Sequence, residues 1–473
     1  MLSDYIALLP EFIITMGILC MLMVKVFHSQ PTPRIFFEIS RTITIIGMIA
    51  TAIFYNHSIT WVLNNNLFTT LFKLLIYGFT FAWSCLSYKH FANKSVTGFH
   101  FYGILLFNLI CFSLAISSQN LLILWIGLSF QFLNNNILFK IEKDSSSSLY
   151  MQMFAMFSIF FVIVFAVGVG IFYYYAHTFD YGNIERILGI RTQIILPYRI
   201  AFGCIIFSFL FMMGIAPLHF WFAGATKNTP LPVAGYLTII PIFGYFACLV
   251  NICANAFYPL LGWFNKVFII FGLLSIFLGS IGANSEKNLR KIFAYGALYY
   301  LGVTVLALFP LTNQGLVSAF TYLLVYIIAM FGIYTVFYGY CSKGVYMSEL
   351  DDIKGIATQR PFLSAALLIF MISLIGTPPL LGFLGRLSVI NSLIIGHHLA
   401  LIGAELVAMI MLVYAYLKII NVVYFEPRNN VFDGVNRGIY ICLLINIILI
   451  LIAVINPKYL MHDVELMLVE VFS

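Results

Sequence analysis

The stretches GIAPLHFW (Gly214 to Trp221) and GTPPLLGFLGR (Gly376 to Arg386) each interrupt a long apolar segment. A proline inside a helix removes one backbone hydrogen bond and clashes with the preceding turn. Lipid offers no partner for the freed carbonyl, so such a break persists only where it faces protein or a water-filled cavity. Paired breaks in two halves of a membrane protein mark an ion or substrate path. The sequence therefore predicts a transport-type membrane protein with broken helices near Pro217 and near Pro378 and Pro379.

The composition excludes a soluble protein. Of the 473 residues, 62% are hydrophobic and 9% are charged, and the mean hydropathy is +1.01. A soluble fold of this length cannot bury so much apolar side chain, so most of the chain is expected inside a bilayer.

Met1 leads almost directly into an apolar segment at Tyr5, without a basic region or a small-residue cleavage site. This pattern predicts that no signal peptide is removed.

Cysteines and charges give no sign of a metal site or of nucleic-acid binding. The eight cysteines are scattered along apolar segments without paired ligand spacing, so neither a metal nor an iron–sulfur site is expected. The net charge of +7 is not arranged as a basic stripe interleaved with base-stacking aromatic residues. We therefore expect no nucleic-acid partner.

Apolar segments of about 20 residues, the length that crosses a bilayer, predict an all-α integral membrane protein with about 14 transmembrane helices. The seventh and the twelfth are the interrupted ones. The predicted spans lie near 5–27, 35–55, 68–88, 101–118, 121–139, 150–175, 198–221, 232–254, 262–283, 291–309, 315–339, 361–395, 398–425 and 437–456.

The loop charges support this count. Cytoplasmic-type loops collect Lys and Arg, and with fourteen spans most loop cations lie on one side of the membrane. The opposite, charge-poor side holds only Arg186, Arg191, Arg199 and Lys458, and both termini are expected there. Outside the spans we expect a polar turn at 144–148, a polar loop at 176–197, a short surface helix within 343–360 and an amphipathic tail after Asn456.

Further motifs point to one family. The blocks LLPE (8–11), SSQNLLILWIGL (117–128), NLRKIFAYGAL (288–298), LDDIKGI (350–356) and YAYLKIINVVYF (414–425) accompany the two breaks. Their order and spacing resemble antiporter-like subunit 2 of respiratory complex I, called the N subunit in bacteria, over nearly the whole chain.

The resemblance implies a single polytopic membrane domain, 1–473, in which helices four to eight and nine to thirteen form two inverted five-helix repeats. Its parts are an N-terminal three-helix extension at 1–100, a first repeat at 101–255, a second repeat at 262–425, and a C-terminal helix and amphipathic tail at 426–473.

The resemblance also implies a membrane-arm subunit of proton-pumping NADH:quinone oxidoreductase, which supports proton translocation coupled to electron transfer from NADH to ubiquinone. Flavin, iron–sulfur clusters and ubiquinone are expected on partner subunits, with no redox centre and no catalytic residue on this chain. Expected partners are other membrane-arm subunits of complex I, including neighbouring antiporter-like subunits, and membrane lipids. The richness in Phe, Ile, Leu and Asn favours the mitochondrial inner membrane, with the bacterial inner membrane as the alternative.

The titrating residues of the family's proton path are mostly replaced here. Local alignment places Ser129 where the family has a glutamate, Met212 and Ile242 where it has lysines, and Arg386 where it has the last lysine. Serine, methionine and isoleucine carry no charge to switch, and an arginine guanidinium, whose pKa exceeds about 12, stays protonated. The resemblance therefore implies a proton path that is degenerate in this chain.

Four residues remain candidates for a proton path: His219, Arg386, Lys418 and Lys73. His219 follows the first break, and histidine titrates near physiological pH. Lys73 lies inside the third span, where the family also has a lysine, and its alternative is to extend toward the nearer headgroups.

Two carboxylates have simpler expected roles. Glu405 is expected near the membrane surface, about 20 Å along its helix from Lys418. Glu11 follows a helix-starting proline, where a carboxylate interacts favourably with the positive end of the helix dipole.

Two mechanisms remain open at this stage. In the first, the chain conducts protons through His219, Arg386, Lys418 and ordered water. In the second, it is a structural spacer that transmits conformational change, and the substituted positions favour this second mechanism.

A different class of function is the proton-translocating subunit of a multisubunit cation/proton antiporter or membrane-bound hydrogenase. Those relatives depend on the same titrating residues, so their loss argues against this class. A stand-alone carrier is disfavoured because no substrate-coordinating polar cluster occurs in the spans.

Overall fold

The computed structural model describes residues 6–28, 32–59, 62–92, 95–141, 148–190, 196–308, 312–342, 344–427 and 432–455. These residues are almost entirely helical. The helices are α1 (Leu9–Phe27), α2 (Pro33–Ile53), α3 (Leu67–Phe91), α4 (Ser95–Ser117), α5 (Leu121–Phe139), α6 (Ser148–Ala176), α7 (Tyr181–Ile190), α8 (Leu196–Met212), α9 (Phe222–Asn228), α10 (Leu231–Asn255), α11 (Tyr258–Ser285), α12 (Leu289–Leu308), α13 (Asn313–Gly339), α14 (Pro361–Ile375), α15 (Leu381–Ile395), α16 (Leu399–Tyr424) and α17 (Arg437–Ile455).

The apolar helices account for the predicted spans. In the described part of the chain, eleven helices are long and apolar enough to cross a membrane, or twelve if Leu350–Thr358 and Pro361–Ile375, bent by 115°, form one span. Shorter apolar helices at Leu196–Met212, Leu381–Ile395 and Arg437–Ile452 lie at the predicted seventh, twelfth and fourteenth spans. With α14 and α15 as halves of one broken span, the described helices supply the fourteen expected. The predicted all-α membrane fold is confirmed.

The surface of α1 illustrates how these helices meet lipid. Its exposed apolar side chains, Phe12, Met16, Leu19 and Met23, recur every three or four residues and lie on one face. Ile14, Gly17 and Met21 lie on the buried face. A continuous apolar face of this kind is suited to contact with lipid tails.

Local side-chain hydrogen bonds explain the close boundary between α4 and α5. Helix α4 ends at Ser117, and the Asn120 side chain accepts a hydrogen bond from the backbone amide of Leu122 at 2.9 Å. Asparagine is a strongly preferred N-cap residue because its side chain satisfies an otherwise free amide of the first turn. The predicted separation of these spans by Gln119 and Asn120 is confirmed.

Both breaks have the same local form. Each begins with a glycine at positive φ, Gly214 at 74° and Gly376 at 78°, and each contains a cis peptide bond three residues later, before Pro217 and before Pro379. Helix α8 therefore ends at Met212 and α14 at Ile375, and the chain resumes helical structure at α9 and α15. The predicted broken helices near Pro217 and Pro378 are confirmed.

Two segments outside the spans differ from expectation. The predicted polar loop at 176–197 contains α7, because the Asp180 carboxylate caps its first turn by accepting from the Asn183 amide at 3.0 Å. The predicted surface helix within 343–360 is replaced by a hairpin of β1 (Cys341–Ser342) and β2 (Val345–Tyr346) and by two 3₁₀ turns, Leu350–Ile353 and Ile356–Thr358. Of the predicted polar turn at 144–148, residues 144–147 lie outside the described residues and Ser148 begins α6. The amphipathic tail after Asn456, Arg191 and Lys458 also lie outside the described residues.

The described residues divide into two compact units. The N-terminal unit consists of those within 1–213 and 240–264, and the C-terminal unit of those within 214–239 and 265–468. The three-helix extension, the two repeats and the C-terminal part stay predictions.

We predict that the second break does not tolerate a side chain at Gly382. A Cβ there would overlap the backbone oxygen of Ser373, whereas a Cβ at Gly403 on α16 meets nothing within 4 Å. Gly382→Ala should lower stability by about 3 kcal/mol or more, because overpacked cores force backbone shifts. Gly403→Ala should be neutral or stabilising by up to about 1 kcal/mol.

Thermal melting of the detergent-solubilised complex that contains each variant measures this difference. Equal melting temperatures for the two variants would show that α14 and α15 do not approach as closely as described.

Candidate functional site

The second break encloses a buried ion pair. Arg386 on α15 and Glu405 on α16 face each other with Nε and Oε1 3.3 Å apart, and their side chains are 7% and 3% exposed. The Tyr299 hydroxyl, from α12, donates to Glu405 Oε1 at 2.7 Å. Arg386 Nη2 donates to the same hydroxyl at 3.3 Å. Three helices therefore meet at one carboxylate and one guanidinium.

The broken backbone supplies a further partner for the cation. Arg386 Nη1 donates to the backbone oxygen of Ile375, the last residue of α14, and also contacts Met409 Sδ. Gly376 ends α14 in the left-handed conformation, and a Cβ at this position would lie 3.0 Å from Arg386 Nη1. The glycine thus allows the guanidinium to approach a helix C-terminus, where a cation is stabilised by the helix dipole.

Glu405 is therefore not the surface carboxylate expected from the sequence but the buried counterion of Arg386. The two residues are 19 positions apart on different helices, so no short spacing reveals the pair. The available signal was a single carboxylate within an apolar helix, since such residues almost always have a partner.

The first break presents His219 in a different setting. His219 lies in the turn between α8 and α9 and is half-buried, with its ring centroid 6.4 Å from that of Tyr295. The backbone amide of Ala216 donates to Ser275 Oγ at 2.9 Å, which satisfies one group freed by the break. Among the described residues, no hydrogen bond or ion pair joins His219 to Arg386 or to Lys418.

Lys418 also stands apart from the ion pair. Its Nζ donates to the Asn284 backbone oxygen at 3.1 Å and lies 4.6 Å from the centre of the Tyr414 ring. Both contacts are to neutral groups. The structure therefore does not bring together His219, Arg386 and Lys418, which were predicted as one set of candidates.

The three substituted positions of the family's path lie in the N-terminal unit. Ser129 on α5 is 6% exposed, and among the described residues its hydroxyl has no hydrogen-bond partner. Met212 and Ile242 are each 1% exposed. None of these side chains can bind or release a proton near neutral pH.

Neutral amides near Ser129 on α5 form a network that sequence reasoning missed. Tyr245 donates its hydroxyl hydrogen to Gln131 Oε1. Gln131 Nε2 and Asn108 Nδ2 each donate to Asn135 Oδ1 at 3.3 Å. The spacing of Gln131 and Asn135 by four residues places them on one helix face, which is the signal available from the sequence. The network can hold water or orient hydroxyls, but it carries no charge.

A second buried ion pair lies near the N-terminus. Lys73 on α3 and Glu11 on α1 have Nζ and Oε1 2.9 Å apart, and their side chains are 2% and 5% exposed. Lys73 Nζ also donates to Asn65 Oδ1 at 2.9 Å, and the Ser113 hydroxyl donates to Glu11 Oε1. Lys73 therefore does not extend to the headgroups, and Glu11 does more than occupy the first turn of its helix.

No metal site accompanies these groups. In the described ranges, no three His, Cys, Asp or Glu side chains are placed to hold a metal ion.

Comparison with known proteins assigns the family. The profile of the family described as NADH:quinone oxidoreductase/Mrp antiporter, TM, matches residues 118–412. NADH-quinone oxidoreductase subunit N of Sphingopyxis alaskensis is 27% identical over 438 residues, which covers 91% of each chain. The chain belongs to the NADH:quinone oxidoreductase/Mrp antiporter membrane family, and the resemblance to the N subunit is confirmed.

Solved structures show the same fold. A chain of respiratory complex I from Thermus thermophilus with bound aureothin matches with a TM-score of 0.81 at 18% identity, over 96% of this chain and 98% of that one. A chain of the Mrp complex from Dietzia sp. matches with a TM-score of 0.87 at 14% identity, over 99% and 98%. At such identities the likeness shows the fold alone.

We predict that Arg386 and Glu405 stabilise the protein only as a pair. Arg386→Met should lower the free energy of unfolding by about 3–5 kcal/mol, because it leaves a buried carboxylate without its cation. The double variant Arg386→Met, Glu405→Leu should recover most of this loss. Arg41→Met, which opens a half-exposed pair with Glu38, should cost only about 0–1 kcal/mol.

Denaturant or thermal unfolding of the purified complex gives these values. If the double variant is as unstable as the single one, the ion pair is not the source of the effect.

Proposed function

We propose that this chain is the N-type membrane subunit of a proton-translocating NADH:quinone oxidoreductase. The observation that carries the proposal is the relative named subunit N, which aligns over 91% of both chains. As a subunit of this enzyme complex, the chain supports proton translocation coupled to electron transfer from NADH to quinone. Flavin and iron–sulfur clusters then belong to partner subunits.

The proposed role of its two repeats is to link neighbouring modules and transmit conformational change. A proton relay needs groups that gain and lose a proton. At the three substituted positions the side chains are the neutral Ser129, Met212 and Ile242. Arg386 is held by a carboxylate, a phenol and a helix-end carbonyl, so it serves as a fixed charge. The proton path through the repeats is thus interrupted.

A role in a cation/proton antiporter is the second candidate. It is favoured by the description of the matched family, which names the Mrp antiporter beside NADH:quinone oxidoreductase. Against it stands the sequence relative, which is named as a subunit of NADH-quinone oxidoreductase. The loss of titrating side chains also argues against an antiporter, whose own transport would depend on them.

We further propose that the chain resides in the mitochondrial inner membrane, with its charge-rich loops facing the matrix. The composition supports this placement, whereas the relatives compared here are bacterial. Neighbouring antiporter-like subunits and membrane lipids are the proposed partners, since the exposed apolar helix faces must be covered by one or the other.

Co-purification tests the assignment. An affinity tag on this chain should recover a large assembly that contains flavin and iron–sulfur centres and oxidises NADH. The measurement is flavin fluorescence and the electron paramagnetic resonance of the clusters in the purified fraction. A small assembly without redox centres, active in cation-dependent proton exchange, would instead establish the antiporter.

A histidine substitution tests the interrupted path. His219→Ala should leave the number of protons moved per NADH nearly unchanged, because the groups needed to pass a proton onward are missing. His57→Ala, on an exposed loop position, serves as the matched control. The measurement is NADH-driven acidification in vesicles that contain the whole complex. A large drop for His219→Ala alone, with assembly intact, would show that the repeats conduct protons.

A further inference from the structure

Helix α3 carries a buried polar face that the proposed role of the repeats does not use. Lys73, Tyr77, Thr80, Ser84 and Ser87 follow one another at intervals of four, three, four and three residues. This spacing places all five on one side of the helix, and each is at most 3% exposed. At 1.5 Å per residue the face is about 21 Å long, which is most of the hydrocarbon thickness.

Part of this face lacks hydrogen-bond partners. Ser84 and Ser87 donate to backbone oxygens within their own helix, at 2.7 and 3.0 Å. In the described part of the chain, however, no partner of good geometry is found for the hydroxyls of Tyr77 and Thr80. A buried hydroxyl without a partner costs about 1–3 kcal/mol, so these groups favour a file of ordered water.

Hydroxyls of the adjacent helices extend the face. Tyr77 lies beside Ser113 of α4, and the Ser113 hydroxyl donates to the Glu11 carboxylate. Nearer the other end of α3, Tyr102 of α4 lies beside Ser87. Within the described residues, the hydroxyls of Ser40, on the buried face of α2, and of Tyr102 have no hydrogen-bond partner of good geometry.

The charged end of the face adjoins a cavity on the charge-poor side. This cavity has a volume of about 400 Å³, and its lining includes Asn64, Gln119, Asp180 and Arg186. The chain passes directly from Asn64 at the cavity wall to Asn65, whose side chain accepts from Lys73 Nζ at 2.9 Å. The partner of the Lys73 ammonium is therefore the residue that directly follows the cavity wall in the chain.

We propose that the Glu11–Lys73 pair is a proton-binding site, supplied from this cavity, at the start of a hydroxyl path along α3 through the N-terminal helices. The path follows α3, with Ser113 and Tyr102 of the adjacent α4 beside it, from the cavity toward Ser87, which lies four residues before the C-terminal end of α3. It rests on the proposed role in proton translocation and gives the chain a route that does not need the substituted positions.

The transfer involves one proton and no redox change. The Lys73 ammonium passes a proton to the Glu11 carboxylate along their 2.9 Å contact, which leaves a neutral amine and a neutral carboxylic acid. The amine then takes a proton from water in the cavity. The carboxylic acid releases its proton to the Ser113 hydroxyl oxygen while that hydroxyl passes its own hydrogen to the next hydroxyl or water along α3, and water beyond Ser87 takes up the proton at the end of the path. Glu11 is then again a carboxylate and Lys73 an ammonium.

Thr80 offers the sharpest test because it carries no charge. Thr80→Val keeps the shape of the side chain and removes the hydroxyl, whereas Thr80→Ser keeps the hydroxyl. In vesicles containing the whole complex, Thr80→Val should lower the protons moved per NADH at an unchanged rate of NADH oxidation. Thr80→Ser should retain the unmodified ratio. Equal ratios for the two variants would overturn the path.

Two kinds of variant test the ion pair: one neutralises the Glu11 carboxylate, and the other removes both charges. Glu11→Gln should reduce the ratio, whereas Glu38→Gln, at a half-exposed carboxylate on α2, should not. If the single variant does not assemble, the double variant Glu11→Leu, Lys73→Met removes both charges together. It should assemble, oxidise NADH and still lose protons per NADH. A double variant that assembles with the full ratio would show that the pair is structural.

The outcomes separate this inference from the proposed function. If the tagged chain does not co-purify with NADH-oxidising activity, the assignment to the enzyme fails. If it does co-purify and Thr80→Val leaves the ratio unchanged, only the N-terminal path fails.

Discussion

The structure depends on one constraint: a backbone group released within lipid must find its partner inside the protein. Each proline break frees such groups. At the second break the Ile375 carbonyl accepts a hydrogen bond from Arg386. The charge of Arg386 is balanced by Glu405, and its guanidinium also donates to the Tyr299 hydroxyl. At the first break the Ala216 amide finds Ser275. The breaks are therefore anchored by side chains from other helices, and this anchoring sets where α14, α15, α12 and α16 meet.

Hydropathy made most of the fold predictable. Long apolar segments and Gly-x-x-Pro interruptions are local signals, so the spans, the α4–α5 boundary and both breaks could be found from the sequence. Helix α7 was missed because it is only ten residues long and its buried residues, Tyr181, Ile184 and Leu188, are set among glycines and polar residues. The pairs Arg386–Glu405 and Lys73–Glu11 were missed because partners 19 and 62 residues apart meet only through helix packing.

Charge is distributed unevenly between the repeats and the N-terminal helices. At the positions on α5, α8 and α10 where the resemblance implies titrating residues, this chain has Ser129, Met212 and Ile242, and a network of neutral amides surrounds Asn135. The buried charges instead occur as compensated pairs, one at the second break and one between α1 and α3. A buried charge with its counterion costs far less than an isolated one, so these pairs mark the places where the fold retains ionisable groups despite the lipid.

The Lys73–Glu11 pair also bears on how the chain tolerates shortening. Both partners lie within the first three helices, and each charge compensates the other. A truncation that removes α1 to α3 as a block therefore takes away both members of the buried pair and leaves neither one without its counterion. A cut between α1 and α3 would leave Lys73 buried among apolar side chains without its counterion Glu11. The buried charges of these three helices therefore compensate each other only as long as α1 and α3 stay together.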